Sequence, residues 1–128
     1  MFELDQFVSD CRTALRQDRP QQAVQEVVRR AVATPGDMLR AIGEPKRAEM
    51  QTLYRSDDLT ILNVIWAPWM NLLPHNHQMW AIIGLYTGRE DNIFWRRGRE
   101  ATVWLRLRVR EHCVRKTLSR WAATLSIP

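Results

Sequence analysis

Hydrophobic residues in the first part of the chain recur with the spacing of an α-helix. Between residues 2 and 17, apolar side chains return every three or four positions, which places them on one face of a helix. A second helix is predicted over 20–33, with Pro20 in its first turn, and a short third helix over 37–42. Residues 1–45 are therefore predicted to form a helical region. The first apolar stripe comprises Leu4, Phe7, Val8, Cys11 and Leu15.

Beyond this region the pattern changes to short segments rich in β-branched and aromatic residues, which favours strands. Gly88 lies in a turn that is predicted to join the last two of these segments as a hairpin. Short strands with turns between them are typical of a sandwich or barrel. The chain is therefore predicted to be an α+β protein, with helices followed by a β-barrel that begins over 50–97. The predicted strands are 50–55, 59–66, 79–86 and 92–96.

The last segment, residues 98–128, differs in amino-acid composition from the rest of the chain. It has no glycine after Gly98, and its only proline is Pro128, although a continuing barrel needs turns. Alternation over 103–110 predicts one more strand, and the apolar positions over 113–125 predict a helix. We interpret this segment as a divergent tail.

Charge separates the same tail from the rest of the chain. Residues 1–97 carry 12 basic and 12 acidic side chains, whereas residues 98–128 carry 7 basic and 2 acidic ones. The whole net charge of +5 therefore belongs to the tail. Arginines interleaved with Trp104 and Trp121 could contact nucleic acid, although such charge runs are usually solvated faces.

Length and composition set the remaining limits. A chain of 128 residues fits a single domain, 1–128. No apolar run approaches the roughly 18 residues of a membrane span, and the acidic N-terminus lacks the pattern of a signal peptide, so a cytoplasmic protein is predicted. Cys11 and Cys113 lie far apart in the sequence and are predicted to be free thiols.

Candidate chemistry is concentrated in residues 74–80, P-H-N-H-Q-M-W. If this stretch is extended, the side chains of His75 and His77 point to the same face and converge on one point, as ligands of a divalent metal do. Neutral imidazole suits iron, zinc, copper and nickel alike. Two ligands do not complete a site, since zinc and non-heme iron usually take three from the protein. The alternative is that the pair marks a polar strand edge.

A longer pattern surrounds this pair. Residues 52–70 read T-L-Y-R-S-D-D-L-T-I-L-N-V-I-W-A-P-W-M, and residues 74–95 read P-H-N-H-Q-M-W-A-I-I-G-L-Y-T-G-R-E-D-N-I-F-W. Together they resemble the predicted metal-dependent enzymes of the double-stranded β-helix (cupin) superfamily that are relatives of cysteine dioxygenase. The resemblance covers about a third of the chain closely. It implies a helical N-terminal region followed by a small β-barrel that holds iron.

The resemblance also assigns roles to single residues. His75 and His77 match two iron ligands, and Gly88 matches the glycine that closes a hairpin. Arg55 matches the arginine with which thiol dioxygenases hold the carboxylate of the substrate, and its planar fork suits that anion. By its position alone, Arg55 reads as a solvated charge at a turn beside Asp57 and Asp58.

The chain departs from the family pattern at three places. Ala81 and Ile82 stand where many cupins have a glutamate ligand, which favours the thiol dioxygenases, since these use three histidines instead. No cysteine near Trp80 corresponds to the one that some cysteine dioxygenases cross-link. His112 is the only remaining histidine for a third ligand, and no P-x-G turn precedes it.

Three readings of function follow. The first is an Fe(II)-dependent dioxygenase that oxidises a small thiol carboxylate with O₂, in a pocket lined by Trp66, Met79 and Trp80, which could equally be plain core. The second is an inactive remnant of such a protein, in which residues from about 98 onward are an out-of-frame or replaced tail. The open strand edges of an incomplete barrel would then favour a homodimer that pairs them. The third is a nucleic-acid binder that uses the basic tail.

Overall fold

The computed structural model describes residues 1–73, 75 and 77–91, together with the strand backbone of three later segments. In this part of the chain, three helices precede a small antiparallel β-sheet, so the predicted α+β class is confirmed. The elements are α1 Leu4–Ala14, α2 Pro20–Val32, α3 Pro35–Ile42, β1 Glu49–Arg55, β2 Thr60–Trp66, β3 Ile82–Thr87, β4 Trp95–Arg97, β5 Trp104–Arg106 and β6 Ala122–Ile127.

The three helices form where the apolar periodicity predicts them. Pro20 begins α2, where its missing N–H costs nothing and its fixed φ suits the first turn. Apolar side chains from all three helices pack against β2 and β3 in one hydrophobic core cluster, in which they are removed from water. Fully buried members of the cluster include Cys11, Val24, Met38, Leu59 and Ile61.

The main sheet has the strand order β1-β2-β6-β3, with every neighbouring pair antiparallel. Strand β6 therefore lies between β2 and β3, although it comes from the segment interpreted as a divergent tail. The helix predicted over 113–125 is wrong for its last four residues, because Ala122–Ile127 is a strand. The spacing of apolar residues does not distinguish a helix from a strand in a short segment whose hydrogen-bond partners are strands distant in sequence.

The predicted hairpin between β3 and β4 is also wrong. Strand β3 pairs with β6, whereas β4 pairs with β5 in a separate two-stranded sheet. Gly88 does have the left-handed backbone expected of a turn glycine, with a φ of 77°. The prediction of a turn at Gly88 is therefore confirmed, but the local sequence does not specify which strands pair. A complete cupin barrel is not seen in the described residues.

Close packing of α2 on β3 depends on Gly84. A Cβ atom at this position would lie 2.5 Å from Val28 Cγ1 and 2.7 Å from Val32 Cγ1, closer than carbon atoms can approach. The absence of a side chain therefore lets the helix lie directly against the strand. This contact fixes the edge strand β3, whose first residue follows the candidate histidines.

No helix of the described residues has both the length and the apolar character that a membrane crossing requires.

Candidate functional site

His75 and His77 lie in the connection between β2 and β3, residues 67–81, which we call the histidine loop. Neither histidine belongs to a strand. Strand β3 begins at Ile82, three residues later than the predicted strand over 79–86. Gln78 has a φ of 57°, so the chain turns between the histidines and the strand. The histidines therefore do not lie on the strand that was expected to bring their side chains to one face. Both histidines are exposed.

The two imidazole rings nevertheless lie close together. Their centroids are 5.2 Å apart, and the ring planes are inclined by 51°. A metal–nitrogen bond of about 2.1 Å puts the centroid of a bound imidazole about 3.2 Å from the ion. Two rings bound at angles of about 90–110° then have centroids about 4.5–5.3 Å apart. The observed separation of the centroids falls inside this range, so the distance between the two rings permits them to bind one ion.

One ring nitrogen of the pair has a defined partner. Nδ1 of His75 lies 2.9 Å from the carbonyl oxygen of Leu73, two residues earlier in the chain. A hydrogen bond from one imidazole nitrogen to a backbone carbonyl is the usual way in which proteins orient a metal-binding histidine. Nε2 of His75 is therefore the nitrogen that could face a metal.

A third ligand is not found near the pair. No group of three or more His, Cys, Asp or Glu side chains that could hold a metal occurs within residues 1–73, 75 and 77–91. His112, the third histidine of the sequence, lies outside the described residues. The structure therefore offers two nitrogen ligands, and the chemistry of the site depends on a donor beyond them.

Arg55 ends strand β1, where it pairs with Thr60. Through β6, the strand registers place Ile82 at the same end of the sheet, on the opposite edge. Three strand spacings separate the two edges, which is about 14 Å. The connection from β2 to β3 leaves Trp66 at the other end of the sheet and reaches the Arg55 end only at Ile82, so the registers place Arg55 level with the start of β3 and do not fix its distance from the histidines. The Arg55 side chain is exposed and has no ion pair or hydrogen bond with a described side chain.

The three side chains predicted to line a pocket are not brought together as a group. Trp80 packs against the core beneath the helices, whereas Met79 is 63 % exposed. Trp66 ends β2 and is half-buried, and its indole N–H is buried without an acceptor in the described residues. For Trp80, the alternative reading as core is the better description.

Sequence analysis missed a chain of hydrogen bonds in the core. The Tyr86 hydroxyl donates to Asn63 Oδ1 at 2.9 Å, and Asn63 Nδ2 donates to Gln51 Oε1 at 2.8 Å. Gln51 Nε2 donates to Glu49 Oε1 at 2.6 Å, and Arg47 Nε donates to the other carboxylate oxygen at 3.2 Å. The signal in the sequence was Asn63, an amide in the middle of an otherwise apolar strand. Its side chain is almost fully buried and every polar atom of it is used.

This chain of hydrogen bonds connects β1, β2 and β3 on the side of the sheet that faces the helices. The bond from Tyr86 to Asn63 passes over the intervening strand β6. Burial raises the pKa of Tyr86 to about 12, so the hydroxyl keeps its proton and remains a donor. The bonds hold together the strands whose ends carry Arg55 and the histidine loop.

The histidine loop itself has an unusual surface. Residues 59–88 contain no Asp, Glu, Lys or Arg. Within this span, large apolar side chains of the loop point into solvent, and Trp69 is 96 % exposed. Exposed apolar clusters of this kind mark interaction sites in folded proteins. The other exposed apolar residues of the loop are Met70, Leu72, Leu73 and Met79.

Cys11, the cysteine of the described residues, does not add a ligand. Cys11 is a free thiol in α1 and is fully buried, as predicted for a helix face. Burial raises its pKa to about 12, which makes it a poor source of thiolate. Cys113 and the side chains of the basic tail lie outside the described residues, so the nucleic-acid reading stays a prediction.

Comparisons of this chain with protein families, with curated proteins and with solved structures found no match.

Proposed function

We propose that this chain binds a divalent metal, with Fe(II) as the first candidate, through His75 and His77, and that it acts as a thiol dioxygenase-like protein. The observation that carries the proposal is the 5.2 Å separation of the two imidazole rings, which fits two ligands of one ion. The choice of iron and of thiol oxidation rests on the resemblance of residues 52–95 to the cupin relatives of cysteine dioxygenase.

Bound Fe(II) would supply open coordination positions at which a thiolate and O₂ meet. His75 and His77 would hold the ion, and Arg55 would bind the carboxylate of the substrate with two parallel N–H bonds. Arg55 supports this role because its guanidinium has no side-chain partner among the described residues and because the residue lies at the end of the sheet at which the chain enters β3.

Metal analysis of the purified protein tests the proposal. After anaerobic incubation with Fe(II) and removal of free metal, the protein should retain about one iron per chain, while His75→Ala and His77→Ala should each retain little. His112→Ala is the matched control, because it removes the remaining histidine; loss of iron in this variant as well would identify the third ligand. The iron-loaded protein should consume O₂ with a small thiol carboxylate, and Arg55→Ala should keep the metal but lose most of this rate.

The alternative of an inactive remnant makes the opposite prediction. It is favoured by one observation, namely that both histidines are exposed and have no third ligand in the described residues. A protein that folds but retains no Fe(II), Zn(II) or Ni(II) would contradict the metal proposal and support the remnant. Retained metal without O₂ consumption would keep the metal site and reject the dioxygenase.

A further inference from the structure

The position of one proton decides which atom of His75 can bind a metal. A neutral imidazole has one nitrogen that carries a proton and one that carries a lone pair. Nδ1 of His75 lies 2.9 Å from the carbonyl oxygen of Leu73. A carbonyl oxygen only accepts hydrogen bonds, so Nδ1 must be the donor. The lone pair then resides on Nε2.

We propose that the Leu73 carbonyl selects the Nδ1–H tautomer of His75 and thereby makes Nε2 the metal-binding atom. The inference rests on the proposed function and adds a positioning residue to it. The side chain of free histidine prefers its proton on Nε2, so the carbonyl must reverse an intrinsic preference. Without it, the ring would more often present a protonated Nε2 to the ion, and binding would first require the proton to move.

Leu73 is suited to this role by its backbone. Its side chain is 86 % exposed, so residue 73 contributes little to the core. It precedes a proline in the sequence, and the residue before a proline is restricted to extended conformations. The restriction narrows the directions in which the Leu73 carbonyl can point. The hydrogen bond is therefore held by chain geometry, although the loop around it is exposed.

The tautomer can be observed without any metal. In ¹⁵N-histidine-labelled protein at about pH 8, where imidazole is neutral, long-range ¹H–¹⁵N correlation distinguishes a protonated ring nitrogen from one with a lone pair. His75→Ala assigns the signals. We expect His75 to have its proton on Nδ1. In Leu73→Gly, which frees the backbone but removes no buried side chain, the population should shift towards Nε2–H.

Leu72→Gly is the matched control. It introduces the same substitution one residue earlier, at a side chain that is also more than half exposed, and it leaves residue 73, whose carbonyl accepts the hydrogen bond, unchanged. The tautomer of His75 should not change in this variant. Titration with Co(II) should then show unchanged affinity for Leu72→Gly and about tenfold weaker affinity for Leu73→Gly. A tenfold loss is the lower end of the range observed when a contact that orients a metal ligand is removed.

The outcomes separate this inference from the proposed function. A His75 ring protonated on Nε2 in the metal-free protein overturns the inference, even if Co(II) binds. An unchanged tautomer in Leu73→Gly also overturns it. An Nδ1–H tautomer that shifts only in Leu73→Gly supports it; if no metal then binds, the proposed function fails while the assignment of the proton stands.

Discussion

The helix-packed side of the sheet and the histidine loop use the same kinds of residue in opposite environments. Met38 and Leu59 are essentially fully buried in the core, whereas Met79 and Leu73 of the loop are 63 % and 86 % exposed. The core removes apolar surface from water, but the loop leaves it there. The difference teaches that apolar composition alone does not identify the core of this protein. The exposed apolar side chains of the loop must instead be explained by its function, since the loop carries a pair of histidines on a surface without charged residues.

The largest expected effect comes from one substitution made in both regions. Met38→Ala should lower the free energy of unfolding by about 2–5 kcal/mol, because it leaves a cavity in the core. Met79→Ala should change it by less than about 0.5 kcal/mol, because the side chain is already largely in water. Urea unfolding followed by circular dichroism measures both. Equal losses in the two variants would mean that the loop is packed as tightly as the core.

A smaller effect is expected from the two asparagines that mark the same regions. Asn63→Ala should destabilise the protein by about 1–3 kcal/mol, since it leaves the Tyr86 hydroxyl and the Gln51 carbonyl oxygen buried without their partner. Asn71→Ala, in the exposed loop, should have almost no effect. The same unfolding measurement compares them. If Asn63→Ala were neutral, the hydrogen bonds of the Asn63 side chain would not stabilise the sheet.

The smallest effect concerns the backbone of the loop. Trp69 has a φ of 63°, a conformation that bulky residues rarely adopt, and its side chain is 96 % exposed. Trp69→Gly should therefore raise the free energy of unfolding by about 0.5 kcal/mol, through relief of strain with little loss of packing. Met70→Gly, whose backbone is not in the left-handed region, should lower it by a similar amount. A loss of stability in Trp69→Gly would mean that the indole makes contacts that matter for the fold.

Local patterns predicted the elements well and their partners poorly. The stripe that includes Phe7 and Cys11 predicted a helix, and Pro20 predicted where the next one begins, because helix formation and capping depend on neighbouring residues. The pairing of β3 with β6 was not predicted. It joins Ile82 to Ile127 across 45 residues, and no local signal specifies such a partner.

The candidate site shows the same division. Its residues were named from the sequence, and His75 and His77 do lie with their rings close together. The predicted strand, however, does not extend to them, and both lie in the connection between β2 and β3. The assignment of metal, substrate and Arg55 to one site stays a prediction.

The sequence by itself determined the three helices, the strands β1 and β2, most of β3, and the two histidines that make metal binding a testable proposal. Those features follow from residue type and spacing, which act over a few positions. Only the tertiary structure decided that β6 lies between β2 and β3, that Asn63 is satisfied by Tyr86 and Gln51, and that the Leu73 carbonyl holds Nδ1 of His75. These features depend on distances and directions between groups that are fixed only when the chain is folded and packed.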